Sequence, residues 1–254
     1  MTYTCCFDVG LRNLAVCIMS STDKQDMKTY KIHLWDVYNV LDADDYKCTG
    51  VFKNGKICNR KCTMKYTENN IVIHCCKTHF PKSIKSNKKN VFKKKSIDSY
   101  LLQDIAKLFI NKIQFLYDNN DIFKILDDIQ IELQPKCNPK MLFISHVLYG
   151  KLVQLFMNRN TKIRFVRAAI KLKAYTGPPI ECKLKSAYTK RKWLSIQYGK
   201  WILENQFDNE QINKWIYIYE LDNKQDDLFD TFNMCINAIH GVPNTKSKNG
   251  KCIK

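Results

Sequence analysis

The chain has 254 residues, 45% of them apolar, enough for one large folded domain or a domain carrying an insertion. No apolar run is long enough to span a bilayer, and the N-terminus lacks the basic region, long apolar core and small cleavage residues of a secretory signal, so neither a membrane protein nor a secreted one is expected. A net charge of +18 implies an anionic partner, and twelve Cys without a signal point to reduced thiols and metal ligation rather than a disulfide scaffold.

Residues 2–9, 13–20 and about 28–39 read as three strands. The third alternates through Tyr30, Ile32, Leu34 and, past Trp35, Val37. Three strands in short succession predict an antiparallel meander. The first is apolar apart from Asp8, with Gly10 turning the chain before a second apolar run from Leu14. An unpaired buried carboxylate is costly. Asp8 therefore either caps the turn at Gly10 or faces a compensating charge, of which a metal cation is the natural one.

Periodicity stops over residues 45–80, where Cys and His concentrate in a Lys-rich background. Cys48, Cys58, Cys76 and His79 form the pattern C-x9-C-x17-C-x2-H, which suits the four thiolate or imidazole ligands of a structural Zn2+. The Lys53-Asn54-Gly55-Lys56 turn and an Ile71-Val72-Ile73 strand fit a small ribbon. Cys62, His74 and Cys75 are further candidate ligands, and a cluster of free thiols is the plainer alternative. Residues 81–95 are a Lys, Asn and Ser linker.

A helix is predicted over about 97–117, with Leu101, Ile105, Leu108, Phe109, Ile113 and Leu116 on one face. Residues 128–133 alternate: Ile129, Ile131 and Leu133 take one side, Asp128, Gln130 and Glu132 the other. Glu132 sits on a solvated face if this strand is an edge, and needs another explanation if it is central. Asn138-Pro139 starts a helix running to about Met157. Ile163 to Val166 is the next strand, and Pro178-Pro179 breaks the chain. A basic helix with aromatic content follows over about 186–204, carrying Tyr188, Arg191, Lys192, Trp193 and Tyr198, the alternative being an ordinary amphipathic helix with Trp193 and Ile196 in the core.

The last strong element opens at Asn223. Asp227 and Asp230 are three apart and share a helix face. Acids in a first helical turn are favoured by the dipole. Asp226, Asp227 and Asp230 together exceed what capping needs, and a divalent cation would relieve their repulsion. The bases are segregated as well. No Asp or Glu occurs between Asn69 and Ile97 or between Leu133 and Ile180, and both spans are rich in Lys and Arg. That distribution is a phosphate-binding footprint, the alternative being a basic surface that serves solubility.

Phe7-Asp8-Val9-Gly10, Ile131-Glu132 and Asp226-Asp227-x-x-Asp230, in this order, resemble the RuvC-type Holliday junction resolvases of the RNase H-like superfamily. The Lys-x-Asp-Asp-x-x-Asp form is similar to the branch found in poxviruses, other large cytoplasmic DNA viruses and mitochondria. The resemblance covers about residues 3–240. It implies an α/β, RNase H-like fold: a mixed five-stranded sheet flanked by helices, over 1–44 and 96–240. A zinc-ribbon-like module (45–80), the linker (81–95) and a basic tail (241–254) complete the chain.

The resemblance also implies a site. Asp8, Glu132, Asp227 and Asp230 correspond to the catalytic carboxylates, which would hold two Mg2+ or Mn2+ ions. Lys171 falls where the family has a basic residue, and Lys173 fits that description equally well. Gln225 departs from the Lys often found at its position. The implied activity is a homodimeric endodeoxyribonuclease cutting four-way DNA junctions by paired nicks, in the cytoplasm of a virus-infected cell. Two alternatives stand beside it: another RNase H-like nuclease acting on RNA–DNA hybrids or flaps, and a zinc-containing nucleic-acid-binding factor without activity.

Overall fold

The computed structural model describes residues 1–41, 47–91, 96–221 and 225–241. In chain order they form β1 (Thr2–Val9), β2 (Asn13–Ser21), β3 (Lys31–Asn39), β4 (Met64–Glu68), β5 (Ile71–Cys75), α1 (Leu102–Asn119), α2 (Asp121–Lys124), β6 (Asp128–Glu132), α3 (Pro139–Leu155), β7 (Lys162–Val166), α4 (Ala187–Gln206), α5 (Asn209–Leu221) and α6 (Gln225–His240). They belong to two compact units, Met1–Val40 with Ile105–Lys254, and Leu41–Asp104. The Cys-rich module and the linker expected after it both fall in the second unit. Lys93, Lys94 and Lys95 of the linker, Asn223 before α6 and residues 242–254 of the expected tail lie outside the described residues.

The first unit is built on a five-stranded sheet of order β3-β2-β1-β6-β7. β1, β2 and β3 form the antiparallel meander, and β6 and β7 run parallel to β1. This mixed sheet flanked by helices is the RNase H-like arrangement. β1 and β2 read as nearly unbroken apolar runs because both of their faces are covered, and their side chains from Cys5 to Phe7 and from Leu14 to Met19 are buried. On one face Phe7 meets Phe123 of α2, with ring centroids 6.2 Å apart, and Phe165 of β7 stacks on Tyr149 of α3 at 5.2 Å. On the other face Cys6, Cys17 and Trp35 pack against Phe229 and Phe232 of α6 and Leu203 of α4. β3 starts at Lys31, later than the pattern predicts, because Met27–Thr29 forms a short 3-10 turn. Its N-cap is the Asp26 carboxylate, which accepts from Lys28 N–H at 3.0 Å.

β6 is central, paired on one side with β1 and on the other with β7. Its polar stripe is therefore buried, with Gln130 2% and Glu132 9% exposed. The edge-strand explanation of Glu132 does not apply.

In the second unit β4 and β5 form a two-stranded antiparallel sheet. The strand expected at 71–73 extends to Cys75 and gains a partner, Met64–Glu68, that its polar sequence conceals. The signal for the pairing is Asn69-Asn70, whose φ values of 49° and 64° make a two-residue hairpin turn that Asn tolerates. Cys48, Cys58, Cys62, Cys75 and Cys76 form this unit's core, with Phe52, Met64, Tyr66 and Phe80 packed around them.

Candidate active site and metal centre

The parallel pairing of β1 and β6 aligns Phe7 with Ile131. One residue further along both strands, Asp8 and Glu132 stand together on the face that α6 covers. α6 is buried from Leu228 through Ile236, and within that apolar stretch it carries Asp230. Carboxylate oxygens of Asp8, Glu132 and Asp230 lie within 4.8 Å of one another. Lys171, on the 3-10 helix Ala168–Ala174, reaches into this group. Its Nζ lies 3.3 and 3.4 Å from the two Glu132 oxygens and donates a short hydrogen bond to Asp230 Oδ2.

The other Asp230 oxygen is also held. Ser195 of α4 donates its hydroxyl to Asp230 Oδ1 at 2.5 Å. Asn233, one turn after Asp230, donates Nδ2 to Ser195 Oγ at 3.0 Å and to its carbonyl at 2.8 Å. α4 comes this close because residue 199 is Gly. A Cβ there would lie 2.2 Å from Phe229 Cδ1. The buried face of α4 is thus Ser195, Gly199, Ile202 and Leu203, whereas Trp193 and Ile196 are only half-buried.

With all three carboxyls ionised, they and the one ammonium would carry a formal charge of −2. Desolvation, reinforced by Glu132 and opposed by Lys171, holds the Asp8 carboxyl well above the usual carboxylate range. Desolvation also raises Asp230, although Lys171 and Ser195 pull it down. For Lys171 desolvation acts downward, but the charges of Asp230, Glu132 and Asp8 outweigh it and keep the ammonium protonated. A divalent cation would supply the missing charge, and three carboxylates are the oxygen donors that Mg2+ or Mn2+ prefers.

Of the residues singled out in the sequence, Asp8, Glu132, Asp230 and Lys171 come together. Asp227, half-buried in the first turn of α6, lies outside the 4.8 Å group. Asp226 is paired with Lys192 of α4. Lys173 is exposed, and Gln225 opens α6. Ser195 and Asn233 did not stand out in the sequence. Their signals are the Ser195-x3-Gly199 spacing of small residues and a polar Asn three residues after Asp230 in an apolar helix.

In the second unit, ligand atoms of Cys48, Cys58, Cys76 and His79 lie within 4.8 Å of one another. Cys58 and Cys76 sulfurs are 3.7 Å apart, and His79 Nδ1 is 3.5 Å from Cys48 Sγ and 3.4 Å from Cys76 Sγ. A tetrahedral zinc with Zn–S of about 2.3 Å and Zn–N of about 2.0–2.1 Å requires S–S edges of about 3.8 Å and S–N edges of about 3.5 Å, so the four residues fit that ion. Burial opposes ionisation of Cys76, but the His79 backbone N–H and side chain outweigh it and bring the thiol down to about 6. Gly50 backs the imidazole, since a Cβ there would lie 2.5 Å from His79 Cγ. Cys62, His74 and Cys75 lie outside this group.

No family model matches the chain. Over 234 residues it is 28% identical to uncharacterized protein L451 of Acanthamoeba polyphaga mimivirus, covering 86% of this chain and 55% of that protein. The chain thus spans about half the length of the curated relative it matches. Among solved structures, the yeast mitochondrial Holliday junction resolvase Ydc2 aligns with a TM-score of 0.49 at 13% identity, over 94% of this chain and 79% of that one. Thermus thermophilus RuvC aligns with a TM-score of 0.44 at 8% identity, and its complex with a Holliday junction substrate with 0.41 at 6%. Each covers 95% of this chain and 98% of the other. Among the described residues no helix is long and apolar enough to cross a membrane.

Proposed function

We propose that the chain is a divalent-metal-dependent endodeoxyribonuclease that resolves four-way DNA junctions. The observation that carries this reading is the convergence of Asp8, Glu132 and Asp230, with Lys171 among them, at one end of an RNase H-like sheet. A binding factor without activity would leave the three converging carboxylates without a role.

Asp8, Glu132 and Asp230 hold the cations, two Mg2+ or Mn2+, and Asp227 serves as a fourth ligand from the preceding turn of α6. When bound, the ions supply Lewis-acid activation of the attacking water and charge neutralisation at the departing 3′ oxygen. Lys171 keeps Glu132 and Asp230 close by offsetting their repulsion. Ser195 fixes Asp230 Oδ1, which leaves Oδ2 turned toward Lys171 and the site. The products carry 5′ phosphate and 3′ hydroxyl ends. Cys48, Cys58, Cys76 and His79 hold a structural Zn2+. Two copies of the chain act as a homodimer, so that two sites nick opposed strands of one junction. A relative in a mimivirus fits a viral protein, and the proposed setting is the cytoplasm of the infected cell.

The same carboxylates would serve a nuclease for RNA–DNA hybrids or flaps, so substrate is the deciding question. A panel of four-way junction, Y-fork, flap, RNA–DNA hybrid and linear duplex, each with Mg2+ or Mn2+, answers it. Selective cutting of the junction is expected. A preference for the hybrid, or equal cutting of linear duplex, would overturn the resolvase reading.

A further inference from the structure

We infer that the knuckle formed by residues 47–61 is a phosphate-backbone contact for DNA, a binding element of the second unit in its own right. This rests on the reading above only in taking DNA as the partner.

The knuckle is a pinned hairpin. Lys47 faces Lys61 across one antiparallel bridge and Val51 faces Ile57 across another. Cys48 N–H donates to Arg60 O at 2.8 Å, Cys58 N–H to Gly50 O at 2.8 Å and Phe52 N–H to Lys56 O at 2.9 Å. The chain reverses through Lys53-Asn54-Gly55-Lys56, with Gly55 at φ 77°. Two of the four Cys/His centre residues, Cys48 and Cys58, anchor its arms.

This hairpin carries Lys47, Lys53, Lys56, Arg60 and Lys61 and no acid. All five are exposed, and among the described residues no salt bridge involves any of them. Arg60 is engaged within the unit, 5.3 Å over the Phe52 ring and donating to Thr78 Oγ1 at 3.3 Å. The four lysines point their charge outward.

Folding alone does not account for them. Like charges directly opposite in a strand pair destabilise it, and Lys47 with Lys61 is such a pair. A zinc with three thiolates and a neutral imidazole carries a charge of −1, which a single lysine offsets. Residues 47–91 hold Arg60 and ten Lys (47, 53, 56, 61, 65, 77, 82, 85, 88 and 89) against Glu68 as the one acid. Solubility is served better by acids than by bases. Val51 and Ile57, 58% and 60% exposed, lie between the two lysine pairs. Apolar surface flanked by amines suits a polyanion with sugar between its phosphates better than a small anion. Such contacts position DNA without reading its sequence, so the knuckle adds affinity rather than junction selectivity.

The test is binding of a linear duplex and a four-way junction, without divalent cation, as a function of salt. Each lost phosphate contact lowers the slope of log affinity against log salt by about 0.9. Lys53→Gln/Lys56→Gln and Lys47→Gln/Lys61→Gln should each lower it by about 1.8 on both probes, two contacts at about 0.9 apiece. Zinc content should stay unchanged, and the second pair should raise the melting temperature because it removes a repulsion. Lys28→Gln/Lys31→Gln, exposed lysines of the first unit, should leave the slope as it was. An unchanged slope in both knuckle variants, or an equal fall in the control, overturns the contact. Absence of junction cleavage by the wild-type chain would sink the proposed function while leaving these slopes to decide the knuckle.

Discussion

Asp8, Glu132 and Asp230 come from three separate elements, and each is costly where it sits unless the other members of the group are in place. Asp230→Asn keeps the shape of the side chain and removes one charge. Cleavage should fall by about 10²-fold or more, the scale for losing one preorganised electrostatic partner, while DNA binding persists. Near-normal cleavage would remove Asp230 from the site. Asp227, a turn away, should act through metal affinity. Asp227→Asn is expected to raise the Mg2+ concentration needed for half-maximal cleavage, and an unaltered metal dependence would exclude it. Desolvation keeps a proton on Asp8 above the ordinary carboxylate range, and a cation must displace that proton. Apparent Mn2+ affinity should therefore rise with pH above that range and level off once Asp8 is ionised. An affinity independent of pH would mean that Asp8 enters the metal-free site already ionised. Asp8 was legible in the sequence because an acid interrupts an apolar strand that has no local use for it, whereas Glu132 fits its strand's alternation and stood out only through the resemblance. Ser195 was not legible, because its meaning lies in a hydrogen bond to a residue 35 positions away.

The α4–α6 contact is the element that shapes the site. Gly199 admits Phe229, and that approach brings Ser195 to Asp230 one helical turn earlier. Gly199→Ala should cost about 1–3 kcal/mol by overpacking, read as a lower thermal midpoint, and should reduce cleavage as Ser195 is displaced. Ser195→Ala should leave the fold in place but cost about 10–100-fold in metal affinity or activity, the usual scale for a residue that orients a metal ligand. Equal activity in Ser195→Ala would make the hydrogen bond merely structural. In the Cys/His centre, purified protein should contain about one zinc per chain. Cys76→Ser should lose it, and full retention would reject this ligand set. Element boundaries were legible wherever periodicity or a cap marked them, as at Asn138-Pro139. The face that α4 buries was not, because close helix packing selects small residues, and the large apolar ones that dominate a sequence pattern are left half-buried.

Across the whole molecule, the meander was legible in the strand pattern, and the full sheet followed from the resemblance that the order of the carboxylates carries. What the sequence could not convey was that β6 is central and its polar stripe buried, since strand order is set by long-range pairing rather than by local pattern. That one fact makes Glu132 part of an enclosed site instead of a solvated face. The acid-free spans 69–97 and 133–180 were legible, but the basic hairpin 47–61 lies outside both and was not, because strand bridges rather than local pattern gather its lysines. Junction resolution by paired metal sites is the central proposal for this chain. The most direct measurement is cleavage of a four-way junction labelled on each strand in turn, with Mg2+, by the wild-type chain and by Asp230→Asn. Paired nicks at symmetry-related positions with ligatable ends are expected from the wild type and none from the variant. Unpaired cuts, cutting of linear duplex at the same rate, or equal cleavage by Asp230→Asn would contradict that proposal.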